Sequence, residues 1–153
     1  MIVYAEHGAY VTEPREDSQI AVVGGGLVGM SLAVALGRAG ISVSLIEASN
    51  AQPRSDSAYD SRPIALSQCS RRILDTLGVW DALGAAATPI TRIHVSDRGH
   101  FGFARMCAED HDVDALGYVA SAAALGQALE EVLASMHEVC VLRPAVVDQV
   151  ERE

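Results

Sequence analysis

Two short apolar runs near the start of the chain flank a longer segment with helical periodicity. Residues 20–23 and 41–46 have the composition of strands in a parallel sheet, and we expect 20–23 to be buried on both faces. Residues 27–39 are apolar on nearly every side, which predicts a helix enclosed by other elements. Three glycines, 24–26, separate the first strand from this helix. The order strand, turn, helix, strand predicts a βαβ unit with a right-handed crossover.

The polarity pattern of the remaining chain predicts a second set of helices and strands. Polar residues predict a loop over 48–61, and helical spacing predicts a helix over 64–77 followed by a short helical turn over 79–83. The Asp97-Arg98-Gly99 turn predicts a β-hairpin with strands at 90–96 and 101–106. Further predicted elements are a strand at 118–120, a helix at 121–135 and strands at 139–142 and 145–150.

Composition narrows the class of protein. The 153 residues include 11 Lys and Arg against 20 Asp and Glu, a formal charge of −9, which argues against a nucleic-acid partner. Half of the residues are hydrophobic, as expected for a folded α/β domain at 19–153 preceded by a flexible leader at 1–18. Cysteine spacing and the acidic segment near Cys107 match no metal pattern, so no metal site is predicted.

The glycine turn carries the most specific chemical signal. In Gly24-x-Gly26-x-x-Gly29 the first glycine permits a tight turn, the second lets a pyrophosphate approach the backbone, and the third lets helix and sheet pack closely. Glu47 ends the second strand about 20 residues later, where a carboxylate accepts hydrogen bonds from an adenosine ribose. An acid there disfavours a 2′-phosphate and therefore NADP. The spacing alone does not separate FAD from NAD.

The predicted nucleotide site extends over the turn, the start of the helix and the end of the second strand. The helix N-terminus offers unpaired N–H groups to the phosphates. The cofactor-binding candidates in this part of the chain are Gly24, Gly25, Gly26, Leu27, Val28, Gly29, Glu47 and Ala48.

Longer motifs resemble one family. Residues 20–47, the Asp-Ser-Arg-Pro-Ile-Ala-Leu-Ser segment at 60–67, Leu-Gly-Val-Trp at 77–80 and His-Val-Ser-Asp-Arg-Gly-His-Phe-Gly at 94–102 resemble the flavin-dependent aromatic hydroxylases of ubiquinone biosynthesis, the 2-polyprenyl-6-methoxyphenol hydroxylase family. The resemblance implies FAD as the cofactor, with Arg62 beside the flavin. At about position 122 the family usually has a polar or basic residue that contacts the flavin. This chain has Ala122 there, so the hydroxyl of Ser121 is the candidate for that contact. It implies a Rossmann-like α/β fold with a parallel sheet and an inserted small β-meander, in which 90–120 belong to the substrate-side sheet. Since relatives continue well past this length, the chain is expected to be their amino-terminal portion.

The resemblance also implies an activity. This would be FAD-dependent hydroxylation of a polyprenylated phenol, with NAD(P)H as transient electron donor and O₂ as co-substrate. The implied setting is the cytoplasm, with peripheral association with the inner membrane or with other proteins of ubiquinone biosynthesis. No residue is identified as catalytic. Two alternatives remain open: an NAD-linked oxidoreductase with a Rossmann domain, and a truncated, non-catalytic nucleotide-binding fragment.

Overall fold

The computed structural model describes residues 2–4, 18–49 and 61–150. The chain forms two compact units, of which the first comprises Met1–Tyr59 with Gly126–Glu153 and the second Asp60–Leu125. In chain order the elements are β1 (Ile2–Tyr4), β2 (Ile20–Val23), α1 (Leu27–Arg38), β3 (Val43–Ile46), β4 (Pro63–Ser67), α2 (Gln68–Thr76), α3 (Val79–Leu83), β5 (Thr88–Ile90), β6 (Arg92–Ser96), β7 (Phe103–Cys107), β8 (Gly117–Ser121), α4 (Ala122–Ala134), β9 (Val139–Leu142) and β10 (Val146–Gln149).

A parallel sheet forms the centre of the first unit. Its strand order is β2-β3-β9, so β3 has a neighbour on each side. All four residues of β3 are buried, whereas Ala21 and Val23 of β2 are exposed. The prediction that β2 is buried on both faces is therefore wrong, and β3 is the strand that has this property. The βαβ unit itself is confirmed, because β2 and β3 pair in parallel on either side of α1.

Helix α1 buries one face and exposes another. Met30, Ala33 and Val34 are buried, while Val28 and Leu32 are 84% and 48% exposed. The prediction of a helix enclosed on all sides is thus wrong for the described part of the chain. Its end is as expected: Gly40, with φ +78, follows the last turn in the left-handed conformation that glycine favours.

The predicted flexible leader contains one described element. Its residues 2–4 form β1, which pairs antiparallel with β10, so this part of the leader is a strand instead. Residues 5–17 lie outside the described part of the chain, as does most of the loop predicted over 48–61.

The second unit is built on an antiparallel sheet with order β4-β8-β5. The helix predicted over 64–77 is wrong in its first part, because residues 63–67 are strand β4. Ile64 and Leu66 alternate with the exposed Ala65, a period of two that fits a strand. The helix begins only after Ser67, whose hydroxyl accepts a hydrogen bond from the Ser70 N–H and caps α2.

The predicted hairpin is confirmed and forms a separate two-stranded sheet of β6 and β7. The inserted β structure therefore consists of a three-stranded sheet and a hairpin, and β5 is an additional strand that the pattern did not predict. In the described residues no helix is long and apolar enough to span a membrane.

Candidate nucleotide-binding site

The glycine turn leaves the sheet in a conformation that requires glycine. Gly24 has φ +104, and its N–H donates to the Ile46 carbonyl oxygen at 2.8 Å, which keeps the turn beside the end of β3. A Cβ on Gly29 would collide with the Gly24 carbonyl oxygen. The third glycine of the motif therefore allows α1 to begin directly against the turn, as the sequence predicts.

Gly26 borders open space. It is the N-cap of α1 with φ −73, and a Cβ built on it meets no atom of the described residues within 4 Å. No side chain of the described residues caps this helix, and no acid lies in its first turn. The N–H groups of Leu27 and Val28 belong to the first turn, where helices lack internal acceptors. An uncapped helix N-terminus next to a glycine has the polarity that a pyrophosphate needs.

Glu47 is held against the same turn by two backbone donors. Its Oε2 accepts from the Gly25 N–H at 2.6 Å, and its Oε1 accepts from the Ser49 N–H at 2.7 Å. A carboxylate has about four lone-pair sites, so Glu47 can accept a further hydrogen bond from a ligand hydroxyl besides these. The two elements of the predicted site, glycine turn and acid, are therefore in direct contact within the first unit.

Gly25 has a role that the motif did not reveal. A Cβ on this residue would lie 2.8 Å from Glu47 Cβ and 3.1 Å from Glu47 Oε2. The second of the three glycines thus makes room for the acid and donates to it. The sequence shows a third glycine between two motif glycines, but the reason that a glycine is needed at position 25 depends on where Glu47 lies.

The hydrogen bonds favour the ionised form of Glu47. The pKa of this carboxyl lies below its ordinary value of 4.5, first because of the Ser49 N–H. Partial burial opposes this shift, whereas the Gly25 N–H, the Ser49 hydroxyl and the charge of Arg143 reinforce it. Glu47 is consequently an anion at neutral pH and can accept hydrogen bonds from ribose hydroxyls.

Arg62 and Ser121 lie together in the second unit. Ser121 pairs with Pro63 in the β4–β8 register, and the Arg62 carbonyl oxygen accepts from the Ala122 N–H at 3.0 Å. The Ser121 hydroxyl accepts from the Ala124 N–H at 3.1 Å, a bond typical of a residue that caps the first turn of a helix. This local role is one that the sequence reasoning did not assign to Ser121. Their contacts with a cofactor remain predictions, as does that of Ala48, which is exposed directly after Glu47.

Comparison with known proteins identifies the family. The profile of the FAD binding domain family matches residues 17–149. The chain belongs to this family. Its membership confirms FAD as the predicted cofactor and favours FAD over NAD. The open N-terminus of α1 and the fixed Glu47 carboxylate fit the ADP part of that cofactor.

Curated relatives of the chain are larger proteins. It is 34% identical over 136 residues to ubiquinone hydroxylase UbiL of Rhodospirillum rubrum. The matched segment covers 89% of this chain and 32% of that protein. It is 33% identical over 142 residues to 3-demethoxyubiquinol 3-hydroxylase of Escherichia coli, with coverage of 90% and 36%. The chain therefore spans about a third of the length of the relatives it matches.

Solved structures support the fold. PqsL of Pseudomonas aeruginosa, described as a probable FAD-dependent monooxygenase, superposes with a TM-score of 0.65 at 21% identity, over 88% of this chain and 35% of that one. The p-nitrophenol 4-monooxygenase PnpA of Pseudomonas putida superposes with a TM-score of 0.59 at 24% identity, over 80% of this chain and 30% of that one. The Rossmann-like α/β class predicted from the sequence is confirmed, and both matches again cover about a third of the larger protein.

Proposed function

We propose that this chain holds the ADP part of FAD, and that the whole protein uses the flavin to hydroxylate a polyprenylated phenol in ubiquinone biosynthesis. One observation carries the first claim: Glu47 is fixed by Gly25, directly beside a helix N-terminus where the Gly26 Cβ position is open. The pyrophosphate would lie on Gly26 and the first turn of α1, and the ribose would bind Glu47.

The reaction is supported by the relatives named as ubiquinone hydroxylases. FAD would supply the redox chemistry, with NAD(P)H as electron donor and O₂ as co-substrate. This chain's residues would bind and orient the cofactor. Because a polyprenyl tail is apolar and partitions into bilayers, we also propose that the whole protein works at a membrane surface, in a peripheral association.

Arg62 is proposed to serve the flavin side of the cofactor, with Ser121 as its neighbour. A planar guanidinium suits a phosphate or a negative charge on the flavin. The support in this chain is their adjacency at one end of the β4–β8 pair, where Arg62 precedes Pro63 and Ser121 caps α4. Replacement of Arg62 by Met should weaken FAD binding but leave ADP binding unchanged.

A titration of the purified chain with FAD, followed by flavin fluorescence, tests the proposal. Saturable binding should weaken about tenfold or more in Glu47→Gln, because a charged hydrogen-bond acceptor is lost. Glu131→Gln is the matched control, since Glu131 is exposed on α4 and the substitution changes the net charge equally. Equal FAD affinity in both variants would overturn the assignment of Glu47.

A parallel titration with NAD separates the alternative oxidoreductase. NAD shares the ADP part, so weaker binding of NAD than of FAD supports the flavin site. Tighter binding of NAD would support the NAD-linked enzyme instead. No binding of either nucleotide would support a truncated, non-catalytic chain that has kept the fold of the nucleotide-binding unit but does not retain FAD.

A further inference from the structure

The main chain of Glu47 is held on both sides by the connection between β9 and β10. The Glu47 N–H donates to the Leu142 carbonyl oxygen at 2.9 Å, and the Glu47 carbonyl oxygen accepts from the Ala145 N–H at 2.8 Å. Leu142 and Ala145 are buried with Ile46 in one hydrophobic cluster. The two residues between them, Arg143 and Pro144, therefore form a short link whose position is coupled to that of Glu47.

Arg143 fastens this link to helix α4. Its Nη1 donates to Glu130 Oε1 at 2.8 Å, and its side chain is only 18% exposed while that of Glu130 is 45% exposed. Among the described residues, Arg143 Nε is buried without a hydrogen-bond partner. The ion pair with Glu130 therefore holds a largely buried guanidinium next to the link and ties the link to α4.

Arg143 can influence Glu47 through its charge as well as through the link. The Ser49 N–H lowers the Glu47 pKa most, and the positive charge of Arg143 adds a smaller contribution in the same direction. Glu130 is the acid that faces Arg143 from α4 and keeps the guanidinium in this position. Neither side chain belongs to the glycine motif or to the other predicted cofactor contacts.

We propose that Arg143, held by Glu130, is a positioning residue for nucleotide binding: it fixes the link that clamps Glu47 and keeps the Glu47 carboxylate ready for the ribose hydroxyls. The proposal rests on the proposed function, because it assigns Arg143 an effect on the same ribose site. It predicts that Arg143 acts on nucleotide affinity only through Glu47.

A double-mutant cycle on the 153-residue chain tests this, with FAD and ADP as the probes. Arg143→Met should weaken binding of both nucleotides about fivefold in the wild-type chain. In the Glu47→Gln background the same substitution should have little further effect. Arg38→Met is the control, because Arg38 is an exposed arginine at the end of α1. Circular dichroism checks that each variant is folded.

The outcomes separate the two claims. If Glu47→Gln weakens binding and Arg143→Met does not, or if Arg143→Met weakens it equally in both backgrounds, the positioning role is wrong and the proposed function stands. If Glu47→Gln itself has no effect, the proposed ribose site fails.

A second measurement does not depend on a ligand and applies even if Arg143→Met unfolds. In Arg143→Gln, which removes the positive charge but keeps an amide donor for Glu130, the Glu47 carboxyl resonance should titrate at a higher pH than in the wild-type chain. Arg38→Gln, which removes the charge of an exposed arginine at the end of α1, should leave that titration unchanged. An unchanged Glu47 titration in a folded Arg143→Gln chain would overturn the proposal, because a side chain that only ties α4 to the link would not act on this carboxyl through its charge.

Discussion

At the residue scale, the three consecutive glycines are suited to their positions for different reasons. Gly24 needs its positive φ, Gly25 leaves room for Glu47, and a Cβ on Gly26 would have no atom within 4 Å in the part of the chain that the structure describes. The sequence motif predicted roles for the first and third of these glycines. It could not predict the role of Gly25, because that role depends on where the Glu47 side chain turns after β3.

Gly25→Ala is expected to impair nucleotide binding while the fold persists. Its Cβ would lie 2.8 Å from Glu47 Cβ, so the acid must move and lose its bond from the residue 25 N–H. We expect FAD affinity to fall about tenfold, since a charged hydrogen bond is disturbed. Fluorescence titration measures this, with Gly126→Ala in α4 as the control. Wild-type affinity in Gly25→Ala would show that Glu47 does not depend on this glycine.

Gly29→Ala should destabilise the fold itself. The added Cβ would collide with the backbone oxygen of Gly24, and a rigid backbone atom yields less readily than a side chain. The expected loss is roughly 1–3 kcal/mol of unfolding free energy, measured by urea denaturation. Gly126→Ala again serves as control, because its Cβ would meet Leu27 Cδ2 at an ordinary 3.7 Å. Equal stability of the two variants would contradict the close approach of α1 to the turn.

The Glu47 carboxylate should also contribute to stability in a defined pH range. Its folded-state pKa is lower than the ordinary 4.5, first through the Ser49 N–H. A lowered pKa means that the stabilisation is fully present above the unfolded value and is lost as pH falls through the folded one. The difference in unfolding free energy between the wild-type chain and Glu47→Gln should be constant from pH 8 to about pH 5.5 and shrink below about pH 4.5. A difference that grows in acid would contradict the assignment.

At the element scale, periodicity predicted most helices and strands, and the error at residues 63–67 has a physical cause. Leu66, Ile73, Leu74 and Leu77 together suit one face of a helix, so the pattern did not mark the change of structure. The decisive features are the β4–β8 pairing, which is long-range, and the Ser67 cap, which is local. The exposure of β2 and α1 was likewise unpredictable, because it depends on which elements pack against them.

Ser67→Ala should weaken α2 specifically. The Ser67 hydroxyl accepts from the Ser70 N–H at 3.1 Å, and loss of such a cap costs about 1 kcal/mol. Urea denaturation should detect this loss in Ser67→Ala. Ser70→Ala is the matched control, because it removes only a contact between hydroxyls and keeps the backbone donor. The same loss in both variants would mean that the cap does not stabilise the helix.

At the scale of the whole molecule, the sequence motifs identified the family correctly and the candidate site in the first unit is consistent with it. The turn and Glu47 could be predicted because the βαβ unit brings the ends of adjacent parallel strands together. Arg143 and Glu130 could not, since they lie far along the chain and no motif connects them with Glu47. Arg62 and Ser121 were proposed from the resemblance, and the pairing of β4 with β8 accounts for their adjacency.

The central claim, that the space beside Gly26 receives the cofactor pyrophosphate, is tested most directly by an FAD titration of Gly26→Val. Among the described residues no atom lies within 4 Å of a Cβ at position 26, and φ −73 suits any residue, so the variant should fold like the wild-type chain. The account predicts that it retains the wild-type circular dichroism spectrum and loses saturable FAD binding. A folded Gly26→Val chain that binds FAD with wild-type affinity would contradict the account.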